Sequence, residues 1–182
     1  NEFIPRDIKK AIYYFTAASD QKYSTAQFIL GYIHYKGKLV ERNITKSIYY
    51  FSLAADQNDK DALYNLGKIY MKGKFVSKDI NKAICFFTKA DKLNENRAQF
   101  ILGMLNIERK NFKKGFYFFE KSAKNKNIQA NFTLGYFYHE GKIIKRNINK
   151  AIHYYKKASS FYNEFAKNNL AVIYKNGLSN QI

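Results

Sequence analysis

This chain of 182 residues is short of the residues that usually organise chemistry. Its single cysteine, Cys85, excludes an internal disulfide framework and any multi-cysteine zinc site. One proline and nine glycines leave little room for long irregular segments. No apolar run approaches the roughly 20 residues that span a bilayer, and Asn1 to Arg6 do not read as a signal peptide. Carboxylates are few: 14 Asp+Glu stand against 32 Lys+Arg, for a formal net charge of +18. Arginine is scarcer still, with 5 against 27 lysines. Arg is the favoured residue for bidentate contacts to phosphate and guanine, so this basicity is a poor nucleic-acid signature. Lys, Asn, Ile, Tyr and Phe all have AT-rich codons, and their abundance reads more readily as compositional drift than as selection for charge. The 46% of apolar residues is enough for a sizeable core.

What the chain does have is internal repetition. Leu-Gly or Leu-Ala recurs at Leu30-Gly31, Leu66-Gly67, Leu102-Gly103, Leu134-Gly135 and Leu170-Ala171. Four residues before each leucine stands Ala26, Ala62, Ala98, Ala130 or Ala166. A second column, Lys followed by a small residue, runs Lys10-Ala11, Lys46-Ser47, Lys82-Ala83, Lys114-Gly115 and Lys150-Ala151. Every column advances by 36, 36, 32 and 36 residues, a shared irregularity that chance does not produce.

Each unit reads as two helices. The first carries Ala, Leu, Gly and Ile at helical spacing, as in Ala62, Leu66, Gly67 and Ile69, and stops at Gly37, Gly73, Gly141 or Gly177. The second opens at Asp7, Asn43, Asp79 or Asn147, residue types that cap helix N-termini. It then presents an aromatic face such as Ile48, Tyr49, Tyr50 and Phe51 before a small residue at Ala18, Ala54, Ala90, Ser122 or Ala158. Small residues let the paired helices approach, and the aromatics are expected to fill the space between neighbouring hairpins. The fold class is therefore all-α: an α-solenoid of antiparallel helix pairs, about 4.5–5 repeats long.

The pattern Ala-x-x-x-Leu-Gly-x-x-Tyr, a turn glycine, then Asp/Asn-x-x-Lys-Ala-x-x-Tyr-Phe and Ala-Ala resembles the Sel-one-like repeat (SLR), a relative of the tetratricopeptide repeat. Its clearest copy runs through Ala62, Leu66, Gly67, Tyr70, Gly73, Val76, Asp79, Lys82, Ala83, Phe87 and Ala90. The resemblance implies a right-handed superhelix whose first helices line a concave face. On this reading residues 1–21 form a second helix and residues 22–57, 58–93, 94–125 and 126–161 full repeats. Residues 162–182 supply a final first helix, and the cut repeats at both ends imply a longer protein. The third repeat is short and lacks the turn glycine, so it should alter the local superhelix. His34 and Asn106 replace the usual tyrosine.

Enzyme motifs dissolve into the repeat. All nine glycines are explained by repeat columns, and Gly31 to Lys38 fails as a phosphate loop because its glycines are one residue too far apart. Leu39 also stands where Ser or Thr would hold magnesium. His34, His139 and His153 lie in different columns without a second ligand three or four residues away, and Glu140 beside His139 points to another face, so no metal or cofactor is expected. Cys85, at a position filled elsewhere by Tyr13, Tyr49, Tyr117 and His153, is expected to be a packed or half-buried thiol. Some bacterial SLR proteins are cysteine-rich and linked to β-lactam chemistry, but their paired cysteines are missing here. Two glycosylation sequons, at Asn43 and Asn131, match the number expected by chance.

The remaining signal is surface. Three first-helix columns share one face: Phe28, Tyr64, Phe100, Phe132 and Asn168; Tyr32, Lys68, Met104, Tyr136 and Val172; and Tyr35, Met71, Ile107, His139 and Lys175. The first is expected to pack partly against the preceding second helix. The outer two are rich in aromatics and Met, a composition typical of protein-binding surfaces. Tyr32, Tyr35, Lys68, Met71, Met104, Tyr136 and His139 are the candidate partner contacts. Phe28 with Tyr32, Phe100 with Met104, and Phe132 with Tyr136 stand where chaperone-tail clamps carry Lys, Asn and Arg, so that clamp is not expected. The resemblance implies a non-catalytic scaffold or adaptor that binds other proteins as a subunit of a larger complex, as in the endoplasmic-reticulum quality-control ubiquitin ligase. An acidic or mixed-charge partner fits the +18 balance. The alternative is a basic helical-repeat RNA binder, disfavoured by scarce Arg and by the lack of polar pairs at fixed repeat positions.

Overall fold

The computed structural model describes residues 7–160 and 163–178, and among them the regular structure is helical throughout. Ten α-helices follow one another: α1 (Ile8–Asp20), α2 (Ser24–Lys36), α3 (Ile44–Asp56), α4 (Lys60–Lys72), α5 (Ile80–Lys92), α6 (Asn96–Glu108), α7 (Phe112–Lys124), α8 (Ile128–Glu140), α9 (Ile148–Ser159) and α10 (Glu164–Lys175). They form two compact units that divide between Leu93 and Asn94. In the first, α2 pairs with α3 and α4 with α5, while α1 covers α2 and α3 covers α4. In the second, α6 pairs with α7 and α8 with α9, while α7 covers α8 and α9 covers α10.

The helix ends are written in the sequence. Side chains of Asp7, Asn43, Asp79 and Asn147 accept the backbone N–H three residues on, at 2.8–2.9 Å. First helices are capped the same way by Asp59, Glu95, Asn127 and Asn163, each accepting from the alanine of the Ala-Leu-Gly column. Each such cap contributes about 1 kcal/mol. Gly37, Gly73 and Gly141 end α2, α4 and α8 with φ of +62 to +71°, a left-handed conformation that only glycine adopts freely. The fourth expected stop differs: Asn176 caps α10, and Gly177 follows it, still left-handed at φ +64°.

Close pairing within each hairpin follows from the second glycine column. A Cβ on Gly31, Gly67, Gly103 or Gly135 would lie 2.6 Å from the ring of Phe51, Phe87, Phe119 or Tyr155, respectively. Those four rings are fully buried, as are Ala54, Ala90 and Ala158. The buried aromatic thus covers the glycine of its own hairpin. It was expected to fill the space between hairpins, and it does this as well: Phe51 shares a buried cluster with Ala62, Leu66 and Ile69 of α4, Tyr155 shares one with Ala166 and Ile173 of α10, and Phe119 meets Phe137 of α8 at 6.0 Å. Tyr49, two residues before Phe51, points outward and is 59% exposed.

Cys85 corrects another expectation. It is exposed, because it lies on the outward side of α5 in register with exposed Tyr13, Tyr49, Tyr117 and His153. The second sequon is closed to modification, since Asn131 is buried and donates to the Asn127 carbonyl.

Candidate partner-binding surface

In the first unit, α2 and α4 touch directly and present the outer columns together. Tyr32 is 43% exposed and stacks on Phe28 at 6.2 Å between centroids. The Lys36 Nζ lies 5.1 Å from the Tyr32 centroid. Tyr35, Lys68 and Met71 are half-buried, with Lys68 Nζ 5.3 Å from the Tyr64 ring. Such cation–ring contacts hold ammonium groups against the surface and contribute about 0.5–1 kcal/mol each when exposed. A shallow cavity of about 280 Å³ opens beside Tyr32, lined also by Ile33, Lys36, Lys38 and Leu39.

In the second unit, Met104 on α6 is 45% exposed and Tyr136 on α8 is 43% exposed. His139 is half-buried, its ring edge-on to Tyr155 at 6.2 Å. The candidate residues of each unit therefore divide into exposed rings or thioethers and half-buried supports. The four rings of the innermost column, Phe28, Tyr64, Phe100 and Phe132, are half-buried, Asn168 is exposed, and each ring meets the buried aromatic of the following second helix. Phe28 meets Phe51 at 5.7 Å, Tyr64 meets Phe87 at 6.0 Å, Phe100 meets Phe119 at 5.6 Å and Phe132 meets Tyr155 at 5.8 Å. The glycine three residues on, which admits the same aromatic ring, brings that helix close.

Two features escaped the sequence reading. The Lys of the Lys-Ala column reaches back over the first-helix tyrosine: Lys82 Nζ lies 4.2 Å from the Tyr70 centroid and Lys150 Nζ 5.0 Å from Tyr138. Tyr70 stacks in turn on Phe86 and Tyr138 on Tyr154. Where His34 replaces the tyrosine, it stacks on Tyr50, and burial first and Lys46 second lower its pKa below 6.5. Secondly, Arg42 Nε donates to the Tyr35 carbonyl and Arg146 Nε to the His139 carbonyl, both at 3.1 Å. Two of the five arginines thus close helix C-termini. The recurrence of arginine seven residues past the last tyrosine or histidine was the available signal.

Among the described residues no three or more His, Cys, Asp or Glu gather into a group able to hold a metal ion. No helix among them is long and apolar enough to cross a membrane.

Paired helices, buried glycine–aromatic contacts and N-caps recurring at one shared spacing define an α-solenoid repeat protein of the tetratricopeptide-like class. The family model described as Sel1 repeat matches residues 2–23, 24–59, 60–93, 96–127 and 128–160, and the chain belongs to that family. A Sel1 repeat protein from Oxalobacter formigenes is 30% identical over 92% of this chain and 70% of its own, with a TM-score of 0.85. The protein c5321, described as a protective antigen of uropathogenic Escherichia coli with an SLR fold, is 25% identical and has a TM-score of 0.82. That match covers 95% of this chain and 37% of the other. The immunity protein Pa5087 from Pseudomonas aeruginosa, 22% identical with a TM-score of 0.62 over 90% of this chain and 62% of its own, shares the fold. No curated protein matches the chain in sequence. Sel1 repeat proteins generally mediate protein–protein interactions on a helical scaffold that is generally non-catalytic.

Proposed function

We propose that this chain is an adaptor that holds partner proteins or peptides on its first-helix surface. Tyr32, Tyr35, Lys68 and Met71 carry the contacts in one unit and Met104, Tyr136 and His139 in the other. The observation that carries this reading is the exposure of Tyr32, Met104 and Tyr136 at equivalent repeat positions, each 43–45% exposed beside half-buried supports. Rigid rings with two rotatable bonds lose little entropy on binding, which is why they recur as anchors at interfaces. Adaptor subunits of complexes such as the endoplasmic-reticulum quality-control ubiquitin ligase are the working analogy from the family resemblance. The engagement of Arg42 by two backbone carbonyls and of the Arg146 Nε by one supports a protein partner over RNA, because the Arg42 fork is committed to the fold.

The test is affinity capture from source lysate with partner identification, with and without nuclease, using wild type and a Tyr32→Ser/Tyr136→Ser variant. A discrete protein retained after nuclease and lost with the variant is expected. Recovery of RNA, abolished by nuclease and falling steeply with salt, would replace the adaptor by an RNA-binding reading.

A further inference from the structure

The loops that follow α2 and α4 in the first unit meet at a shallow cavity of about 260 Å³. It is lined by Tyr35, Lys36, Arg42, Lys72, Lys74 and Phe75: four cations, two rings and no carboxylate. Phe75 is 42% exposed, with the Arg42 guanidinium 5.0 Å and the Lys74 ammonium 5.3 Å from its centroid. Glu41, next to Arg42 in sequence, is exposed and does not line the cavity. Cations at helix C-termini offset the negative end of the helix dipole, and Lys36 and Lys72 close α2 and α4 in that role. The dipoles do not account for the rest. Arg42 already donates to the carbonyls of Tyr35 and Lys36, and Lys74 lies beyond the capping Gly73.

The second unit supplies an internal comparison. Its corresponding turn reads Glu140-Gly141-Lys142, where the first unit has Lys36-Gly37-Lys38 and Lys72-Gly73-Lys74. Lys142 Nζ lies 3.0 Å from a Glu140 carboxylate oxygen, and this hydrogen-bonded pair holds the carboxyl below its ordinary range. The same turn thus accommodates a neutralised pair, so the surplus positive charge in the first unit is not imposed by the fold.

We propose that this cleft binds an acidic segment of the partner protein, its carboxylates against Lys36, Lys72 and Lys74. A neighbouring apolar side chain of that segment enters the cavity formed by Tyr32, Ile33 and Leu39, which shares Lys36 with the cleft and has Leu39 51% exposed. The chemistry favours carboxylates on a peptide over a nucleic-acid backbone for two reasons. The arginine fork that would grip phosphate in two places is bonded to backbone carbonyls and laid on Phe75, and the adjoining cavity is mainly apolar. Three lysines act as point charges that attract carboxylates without fixing their angle. The assignment rests on the adaptor reading and names the chemistry of its partner.

The experiment uses the whole chain and fluorescence anisotropy. The probes are a labelled peptide of alternating Glu and Leu, the same peptide with Gln for Glu, and labelled oligouridine. The proteins are wild type, Lys72→Glu/Lys74→Glu, and a control with the same charge change on α5, Lys89→Glu/Lys92→Glu, all checked for equal thermal unfolding. The acidic peptide should bind wild type, lose affinity by about tenfold or more in the cleft variant and change far less in the control. Equal weakening in both variants would reduce the effect to net charge and overturn the cleft. Binding of the Gln peptide as tightly as the Glu peptide would also overturn it. Oligouridine binding more tightly, with the same dependence on Lys72 and Lys74, would assign the cleft to phosphates instead. In the capture experiment, a partner lost with Tyr32→Ser/Tyr136→Ser but retained by Lys72→Glu/Lys74→Glu would keep the adaptor and reject this cleft.

Discussion

At the scale of single residues, the decisive contacts are those that admit no side chain. Replacing Gly103 by leucine puts a Cβ 2.6 Å from the Phe119 ring before the rest of the side chain is placed. The ring is fully buried and cannot swing into solvent, so the paired helices must part. A loss of about 3 kcal/mol or more is expected in denaturant unfolding, at the upper end of overpacking effects; an unchanged midpoint would refute this packing. His34 makes a second case. Its Nδ1 is buried without a hydrogen-bond partner, and its folded pKa lies below the ordinary 6.5. The unfolded chain therefore binds the proton more readily. The imidazole's contribution to stability is complete above pH 6.5 and is lost as pH falls through the lower folded value. His34→Tyr restores the ring found at Tyr70 and Tyr138, over which Lys82 and Lys150 lie. The variant should gain about 0.5–1 kcal/mol from a Lys46–ring contact. It should also lose the part of the acid-side decline that His34 causes. Melting curves from pH 7.5 to 5 would test this, and parallel declines for both proteins would sink it.

Among elements, legibility depended on whether a geometry demands one residue type. The turns at Gly37, Gly73 and Gly141 were readable because a left-handed cap on a long connection favours glycine. The same backbone conformation occurs after α1, α3, α5, α6 and α7, at Lys22, Asn58, Asn94, Lys110 and Lys126, with φ near +60°. Asn tolerates it and Lys bears the strain, so composition gave no warning of those turns. Lys126→Gly should remove that strain and raise stability by up to about 1 kcal/mol, measured by chemical denaturation; a loss would mean the lysine side chain holds the turn. The candidate surface was less legible than the helices. Helical periodicity assigns a face, but only packing told exposed Tyr32 from half-buried Tyr35 and turned Phe28 toward the following helix.

A paired substitution was equally hidden. Gln57 Nε2 donates to Gln27 Oε1 at 2.7 Å, and Asn125 Nδ2 donates to Gln99 Oε1 at 3.0 Å. One repeat on from the first pair, the equivalent positions are Leu63 and Leu93. The site therefore accepts a polar pair or an apolar pair. Leu63 is 2% exposed, so Leu63→Gln alone buries an amide without its counterpart and should cost about 1–3 kcal/mol. Adding Leu93→Gln should recover part of that loss. A double-mutant cycle with no coupling would show that the two positions do not act as a pair.

For the molecule as a whole, charge is the property least determined by the fold. The caps, glycine–aromatic contacts and turns require only a handful of its cations, yet the chain carries +18. Some lysines are held over rings, as Lys82 is over Tyr70, but a cation over a ring remains a full positive charge. Pairs such as Lys142–Glu140 cannot offset the excess when acidic residues number 14 against 32 basic ones. The folded chain gathers these charges more closely than the unfolded one, so their mutual repulsion opposes folding. Salt shortens the range of that repulsion from about 30 Å at 0.01 M to about 8 Å at 0.15 M. The melting temperature should therefore rise as sodium chloride increases over that range, while affinity for an acidic peptide falls. These opposite signs separate the two roles of the lysines, because screening relieves the fold and weakens the attraction to a partner at once. A melting temperature that fell with salt would mean that attractive pairs outweigh the repulsion, and that the positive charge is organised within the fold rather than directed outward.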